Sequence, residues 1–571
     1  MPKVWNLGNT TIRNPNRLRD GLILFEREFQ GKAHGALAEA AFSKRLKEEG
    51  IIETAGTTPD WFGRKWRSAF VKLGFIVNRF PLKLKKIFSD QLFGFNFDDY
   101  KITPAGRALI NASSQEEIND IFLRQLAFLE LNSPTEDKFP PGNMKPFIFL
   151  LQILNALKKK NEDGLNKFEI SAFLQLFRNQ THTEVIETVE EILDYRKKRG
   201  AILSGKVARK AFDHKILSNN ALKGGVAAST LTDYADTTVR YSKMSGLLSS
   251  QSGRIYFLAS KQPIIDALVT GPTSFCSPDI IKYLKTFYTG APLPIDNPAV
   301  ARKEIVNLTM LVSKAAQKKA KLPESLSQET DIKKLNKIRH QLNEAFLLEK
   351  EQEFANRQIE KEPLEEIRLY LDAIGMGKRV KLPDIYEPAT FFEWTVWRAF
   401  LAIDHIKNPI SKTRFFPLDE DLRPRHHAPA GGPDMLFEFD DFILVVEVTL
   451  LTTSRQEACE GEPVRRHVAD VQFNAKKPVY GVFIAPSIDT NTADTFRKGD
   501  WYNKDAKTRV NVVPLTTAQF KDILNLLPGK ILPNSLEKLI SKCLSHRDVL
   551  DAIAWKQKIN ESLGEWLIRT N

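Results

Sequence analysis

Cysteine is scarce in this chain of 571 residues: there are three, Cys276, Cys459 and Cys543. They are too few and too scattered for a disulfide framework or a zinc knuckle. Long apolar runs are scarce too. The longest charge-free one near the front, Pro146 to Leu157, is too short to span a bilayer. The opening residues, MPKVWNLGNT, lack the apolar stretch of a signal peptide. No repeat of fixed solenoid period and no low-complexity tail stands out. What is present is an ordinary globular composition, 42% hydrophobic and 27% charged with 37 Phe, which argues against disorder. At roughly 150 residues per domain, three or four domains are expected. These features point to a soluble cytoplasmic protein with no membrane partner.

Charge of one sign is in excess, and unevenly so. Lys and Arg number 83 against 70 Asp and Glu, a net +13. Residues 1–260 carry +11, residues 261–385 carry +3 and residues 386–571 carry −1. A basic front half calls for a polyanionic partner. The neutral last third holds a local acidic concentration, Asp434, Glu438, Asp440, Asp441 and Glu447, and no basic residue lies between Arg425 and Arg455. One region suited to phosphates is therefore joined to another suited to cations.

The expected fold class is multidomain α+β. Residues 1–260 read as a helical, winged-helix-like DNA-recognition region. AEAAFSKRLKEEGII (38–52) has helical spacing, Thr58 and Pro59 form a capped start to the next helix, and TPAGRALINA (103–112) opens another. The order helix, turn, helix, short β-ribbon recurs at 147–177 and again at 233–258, where QSGR forms a wing tip. Such units place a helix in a DNA groove. Arg64, Lys65, Arg67 and Lys72 in WFGRKWRSAFVKLGF, with Arg240, Tyr241 and Lys243, are the candidate DNA-binding residues. Residues 261–385 form a helical linker domain after the Pro/Gly-rich GPTSFCSPD and TGAPLPIDNPAV. Residues 386–571 form an α/β domain: a helix at 388–404, strands at 434–440 and 442–450, a helix at 463–473, and strands at 478–486 and 509–516.

The most informative segment is GGPDMLFEFDDFILVVEVTLLTT. A two-residue hairpin turn at Asp440-Asp441 pairs residues whose numbers sum to 881, so Asp434 faces Glu447 with Cβ atoms roughly 5 Å apart. Two carboxylates that close repel unless a cation lies between them, and Mg²⁺ is typically held by one or two carboxylates plus phosphate. The backbone carbonyl of Val448 lies beside them as a further metal ligand. The plainer reading makes Asp434 the end of a turn and Glu447 a polar residue on an exposed face. FILVVEVTLL, however, is nearly continuous apolar sequence, where an unpaired Glu is costly.

Pro-Asp followed by Glu in an apolar strand resembles the PD-(D/E)XK nuclease fold, with Thr449 where that family usually has Lys. The chain further resembles the type IIS restriction and nicking endonucleases of the AlwI, PleI and BstNBI group. The resemblance rests on FFEWTVWRAF with Glu393, HAPAGGPD with His427 and Asp434, EVT with Glu447, EGEPVRRH with Glu460 and His467, VFIAPSIDTNT, and a weaker echo in TTVRYSKMSGL. It implies a C-terminal restriction-endonuclease-like cleavage domain. It also implies metal binding by Asp434, Glu447 and Val448, and a catalytic set of Glu393, Asp434, Glu447, Glu460 and His467.

His467, one turn inside a helix opened by Pro463, can stand in for the missing Lys, and Arg465 and Arg466 can grip the phosphate. The pair His426-His427 reads as loop, and GMGK (375–378) lacks the spacing of a phosphate loop, so ATP use is not expected. The expected function is a Mg²⁺-dependent, site-specific deoxyribonuclease of a prokaryotic cytoplasm. It would recognise a short asymmetric site in double-stranded DNA and cut one strand per protomer a few base pairs away. Double-strand cleavage would then need a homodimer or a smaller nuclease subunit. The rival from another class is a winged-helix regulator with a non-catalytic C-terminal domain; a third reading is a less specific repair or recombination nuclease.

Overall fold

The structure is a computed structural model. It describes residues 4–30, 35–52, 61–77, 101–317, 324–375 and 388–570, apart from 134–135, 137, 252, 271–272, 277, 404, 429–430, 504–505, 528, 530 and 549. The expected Thr58-Pro59 start and most of GMGK lie outside the described residues. Among the described residues the fold is mixed and rich in helix, with three small sheets. It divides into two compact units, Met1–Phe346 and Leu347–Asn571. The expected boundaries at 260 and 385 fall inside these units. Tyr283, Leu284 and Phe287 of the expected linker are fully buried in the core of the first unit. No helix among the described residues is long and apolar enough to cross a membrane.

In the first unit, α1 (Ala36–Glu48), α2 (Phe62–Lys72) and α3 (Pro104–Asn111) surround a core of Phe42, Trp66 and Phe70. Thr103 caps α3 through the Gly106 amide, and Pro104 opens it, as its sequence requires. The buried helix α4 (Pro146–Lys159) leads to β1 (Leu165–Asn166). A helical hairpin follows, α5 (His182–Gly200) and α6 (Lys206–Gly224). Then come α7 (Ala228–Lys243), β2 (Leu248–Gln251) and β3 (Arg254–Phe257).

One expectation is corrected here. The segments 147–177 and 233–258 are not two copies of one motif. β1 pairs with β3, Leu165 opposite Ile255, in a single sheet of order β1-β3-β2. A two-residue strand has no hairpin neighbour of its own, so it completes the sheet of the later segment.

The second unit is built on a four-stranded sheet of order β4-β5-β6-β9. Its strands are β4 (Met435–Glu438), β5 (Ile443–Val448), β6 (Val479–Ala485) and β9 (Val512–Thr516). A separate ribbon, β7 (Asp500–Asn503) with β8 (Ala506–Arg509), takes the start of the strand expected at 509–516. β4 and β5 are antiparallel, while β5, β6 and β9 run parallel. Parallel strands need a crossover, and the helix between β5 and β6 supplies it. Val445, Val446, Phe483 and Ile484 at the sheet centre are fully buried. Helix α8 (Pro388–Leu401) is apolar on nearly every face and is buried from Thr390 onward.

Candidate active site

The β4–β5 hairpin turns at Asp440-Asp441, and the Phe439 amide donates to the Phe442 carbonyl at 2.9 Å to close it. The paired residues run from Met435 opposite Val446 to Glu438 opposite Ile443. One step further out Asp434 stands opposite Glu447. The Val448 amide donates to Asp434 Oδ2 at 2.9 Å, and the two carboxyls lie close enough to perturb each other. Glu447 is 6% exposed. Burial pushes the Asp434 carboxyl well above the usual range, and the neighbouring Glu447 pushes it further. Burial does the same to Glu447. Among the described residues neither carboxyl is ion-paired to a lysine or arginine.

Glu460 comes from a π-helical turn, Glu457–Gly461, that leads into α9 (Glu462–Asn474). Such turns are rare and concentrate at functional sites. Pro463 stands at the start of α9, where a missing amide costs nothing. Burial raises the Glu460 carboxyl, and a hydrogen bond with the Thr449 side chain opposes that rise. One turn into α9, His467 Nδ1 lies 2.7 Å from Glu447 Oε1. Burial, then the Arg466 charge, lowers the His467 pKa. The pair is thus held by a hydrogen bond rather than by two formal charges. His467 Nε2 is buried and has no partner among the described residues.

Glu393, on α8, is also buried, and the Ala428 amide donates to its Oε2 at 2.9 Å. The Trp394 and Trp397 indoles beside it bond Leu422 O and Thr413 Oγ1, which anchors the helix to the following loop. Glu393, His427, Asp434, Glu447, Val448, Thr449, Glu460, Arg466 and His467 all line one open cleft of about 910 Å³. Among the described residues the cleft is lined by no lysine, and its nitrogen-bearing side chains are His427, Arg466 and His467.

The structure therefore brings Glu393, Asp434, Glu447, Val448, Glu460 and His467 together. Arg465 is placed elsewhere: it bonds the Gly461 and Asp500 carbonyls and lies over the Trp501 ring. Arg466 lines the cleft and pairs with Glu462 at 3.1 Å. The Ala428 amide, the Thr449 hydroxyl and the π-turn escaped the sequence. A bare loop amide or a π-turn leaves no residue pattern to read.

The candidate DNA contacts in the first unit fare differently. Tyr241 is 0% exposed and belongs to the core, which removes it as a surface contact. Arg240 bonds Asp236 at 3.0 Å and the Ile12 and Arg13 carbonyls, so its guanidinium is committed to the fold. Arg67 pairs with Glu39 at 2.5 Å and Lys72 with Glu136 at 3.3 Å. Arg64 is exposed, and Lys65 and Lys243 are half-buried.

Comparison with known proteins adds an independent line. A model of the AlwI restriction endonuclease family matches residues 71–523. Among solved structures, the chain is similar to the small subunit of the heterodimeric restriction endonuclease R.BspD6I. Identity there is 26%, over 35% of this chain and 98% of that one, with a TM-score of 0.29. It is also similar to the BpuJ1 endonuclease binding domain, solved with pyrene- and phenanthrene-modified DNA. Identity is 12%, over 48% of this chain and 91% of that one, with a TM-score of 0.31. No curated protein matches the chain.

Proposed function

On the premise that this chain belongs to the AlwI restriction endonuclease family, and is thus a restriction nuclease, we propose that it is a Mg²⁺-dependent, type IIS site-specific deoxyribonuclease. Residues 1–260, with winged-helix-like elements, recognise a short asymmetric site in double-stranded DNA. Residues 261–385 link them to a PD-(D/E)XK cleavage domain at 386–571. That domain hydrolyses one strand a few base pairs outside the site. The protein acts in a prokaryotic cytoplasm and uses no ATP. Family membership weighs against a non-catalytic regulator.

The observation that carries the reading is the pairing of Asp434 with Glu447 at the floor of the cleft, with Glu460, Glu393 and His467 around them. This donor set fits a hard divalent cation: carboxylate oxygens and a neighbouring backbone carbonyl, with neither Asp434 nor Glu447 ion-paired to a lysine or arginine among the described residues, while Arg466 on the same cleft pairs with Glu462. Among the described residues no group of three or more His, Cys, Asp or Glu side chains is placed to hold a metal ion. An ion here would therefore rest on two carboxylates, a backbone carbonyl and its own waters, a set that Mg²⁺ accepts.

Asp434, Glu447 and the Val448 carbonyl would hold the ion, which when bound would supply activation of a water and neutralisation of charge developing on the phosphate. Glu447 fixes the His467 ring through Nδ1, which leaves Nε2 to orient a water or a phosphate oxygen where Thr449 replaces the usual Lys. The Ala428 amide and the Thr449 hydroxyl hold the Glu393 and Glu460 carboxyls at the cleft wall. The described residues hold one such constellation, so one protomer nicks. A double-strand break needs a second nuclease domain, from a homodimer or a smaller subunit.

The test is to map cut positions on both strands of a supercoiled plasmid with Mg²⁺, for the wild type and for Asp434→Ala. Discrete products from the wild type, and retained binding without cleavage from the variant, are expected. Undiminished cleavage by Asp434→Ala overturns the site. A smear of wild-type products overturns site specificity.

A further inference from the structure

The hairpin of α5 and α6 stands between β1 and α7 in the chain, outside every candidate DNA contact named from the sequence. Its charge is polarised along its length. The first two-thirds of α5 carry Glu184, Glu187, Glu190, Glu191 and Asp194. The tip, KKRGAILSGKVARK from Lys197 to Lys210, holds six basic residues and no acidic one.

The helix dipole accounts for half of this pattern. Lys197, Lys198 and Arg199 end α5, where cations are favoured. It does not account for the rest. Lys206, Arg209 and Lys210 open α6, the positive end of that helix, where cations are disfavoured. Local ion pairing does not explain them either. Lys198 pairs with Asp194 and Arg199 with Asp213, but Lys197, Lys206 and Lys210 are exposed and have no ion pair among the described residues.

A second feature is apolar. Leu203, between the helices, is 90% exposed and Val207 is 82% exposed. Both are flanked by those cations.

The base of the hairpin is stiff. The Tyr195 ring stacks on Phe212 with a centroid separation of 6.0 Å and an interplanar angle of 1°, and its hydroxyl bonds Asp213 at 2.9 Å. Leu217 and Ala221 of α6 pack with Leu231 of α7. Asn220 bonds the Ala172 carbonyl at 2.6 Å. A rigid arm thus presents a cationic, apolar-tipped end to solvent.

We propose that this hairpin is a second DNA-gripping arm: Lys197, Lys206 and Lys210 neutralise backbone phosphates of the bound duplex while Leu203 and Val207 pack into its minor groove. The inference rests on the nuclease reading above and adds a contact surface to it. Cations around an apolar wedge form a combination suited to a groove bordered by phosphates. Duplex DNA, with a charge for every 1.7 Å or so of axis, is the complementary surface. Because it contacts backbone and groove shape, the arm adds affinity with little sequence preference.

The test measures binding of a mixed-sequence duplex across a salt series, in the Asp434→Ala background so that nothing is cut. Lys197→Ala, Lys206→Ala and Lys210→Ala combined should weaken binding and reduce the slope of log K against log salt by about 2 to 3, near 0.9 per lost phosphate contact. The three matching Lys→Arg changes should keep the slope, which separates lost charge from misfolding. Leu203→Ser with Val207→Ser should weaken binding and leave the slope unchanged. A triple alanine variant with the slope of its parent overturns the arm; if Asp434→Ala still abolishes cleavage, the nuclease reading survives. Full affinity in the Leu203/Val207 variant overturns the groove contact. A wild type that neither binds nor cuts duplex DNA overturns both readings together.

Discussion

Two buried clusters, one in each unit, handle charge in opposite ways. In the first, buried charges of opposite sign meet. Arg339 is fully buried and bonds Glu116 at 2.9 Å together with Asp120; Lys261 also bonds Glu116, and Asn343 donates to the second oxygen of Glu116 at 2.9 Å. In the second, like charges meet: Asp434 and Glu447 share one buried step of a hairpin with Glu460 and Glu393 on the same cleft. A compensated cluster holds a fold together, while an uncompensated one requires something brought from outside. Strongly perturbed groups facing a cleft mark the second kind.

The sharpest way to break this contrast is to remove the uncompensated pair. Asp434→Ala, or chelation of divalent ions, should lower the cleavage rate by roughly 10³-fold or more, while duplex binding and thermal unfolding stay near the wild type. A carboxylate pair that merely stabilised the fold would behave otherwise, with Tm moving and cleavage surviving. The next effect belongs to the compensated cluster. Arg339→Met leaves Glu116 and Asp120 buried with less than their full set of partners. It should destabilise the first unit by about 3–5 kcal/mol, read as a lower denaturation midpoint. Replacing the buried Arg339 in the first unit should thus destabilise the fold, and replacing Asp434 in the second should silence the protein.

These two kinds of charge were unequally legible. A hairpin has a period of two and a tight turn, so one turn position sets every opposition; the pairing of Asp434 with Glu447 followed from arithmetic, and the observed register, Met435 opposite Val446, agrees with it. Helical cations carry no such constraint. Arg67, Lys72 and Arg240 have the composition of groove-reading residues, yet each meets an acidic side chain that lies far off in sequence or one turn away. Tyr241 looked like part of a basic surface because its neighbours in sequence are charged, but the helix turns it inward. The single sheet formed from two segments was hidden for a related reason: β1 and β3 are separated by a whole helical hairpin and a further helix.

Within the cleft, a smaller effect separates holding from orienting. His467 touches Glu447 through Nδ1, and its Nε2 is without a protein partner among the described residues. His467→Ala should slow cleavage by roughly 10- to 100-fold, the usual cost of losing a group that orients a ligand, with duplex binding retained. A loss as large as that of Asp434→Ala would make His467 indispensable to the chemistry. No loss would reduce it to a packing residue.

The smallest expected effect tests the claim that the first unit is fully compensated, because one of its groups falls short. Glu304 is 0% exposed, its carboxyl oxygens have no hydrogen bond among the described residues, and Lys261 stands 3.9 Å away. Burial raises its pKa from 4.5 to about 7, with Lys261 and Arg339 holding it back. A carboxyl whose pKa is higher folded than unfolded takes up a proton on folding. Its contribution to stability is therefore complete below pH 4.5 and is lost as pH rises through about 7. Glu304→Gln keeps the neutral form at every pH. Thermal unfolding followed from pH 5 to 8 should show the wild type losing on the order of 2 kcal/mol relative to the variant, with the divergence growing from pH 5 up to about 7 and levelling off above it. If the two curves stay parallel, Lys261 and Arg339 hold Glu304 ionised after all, and the first unit is compensated throughout.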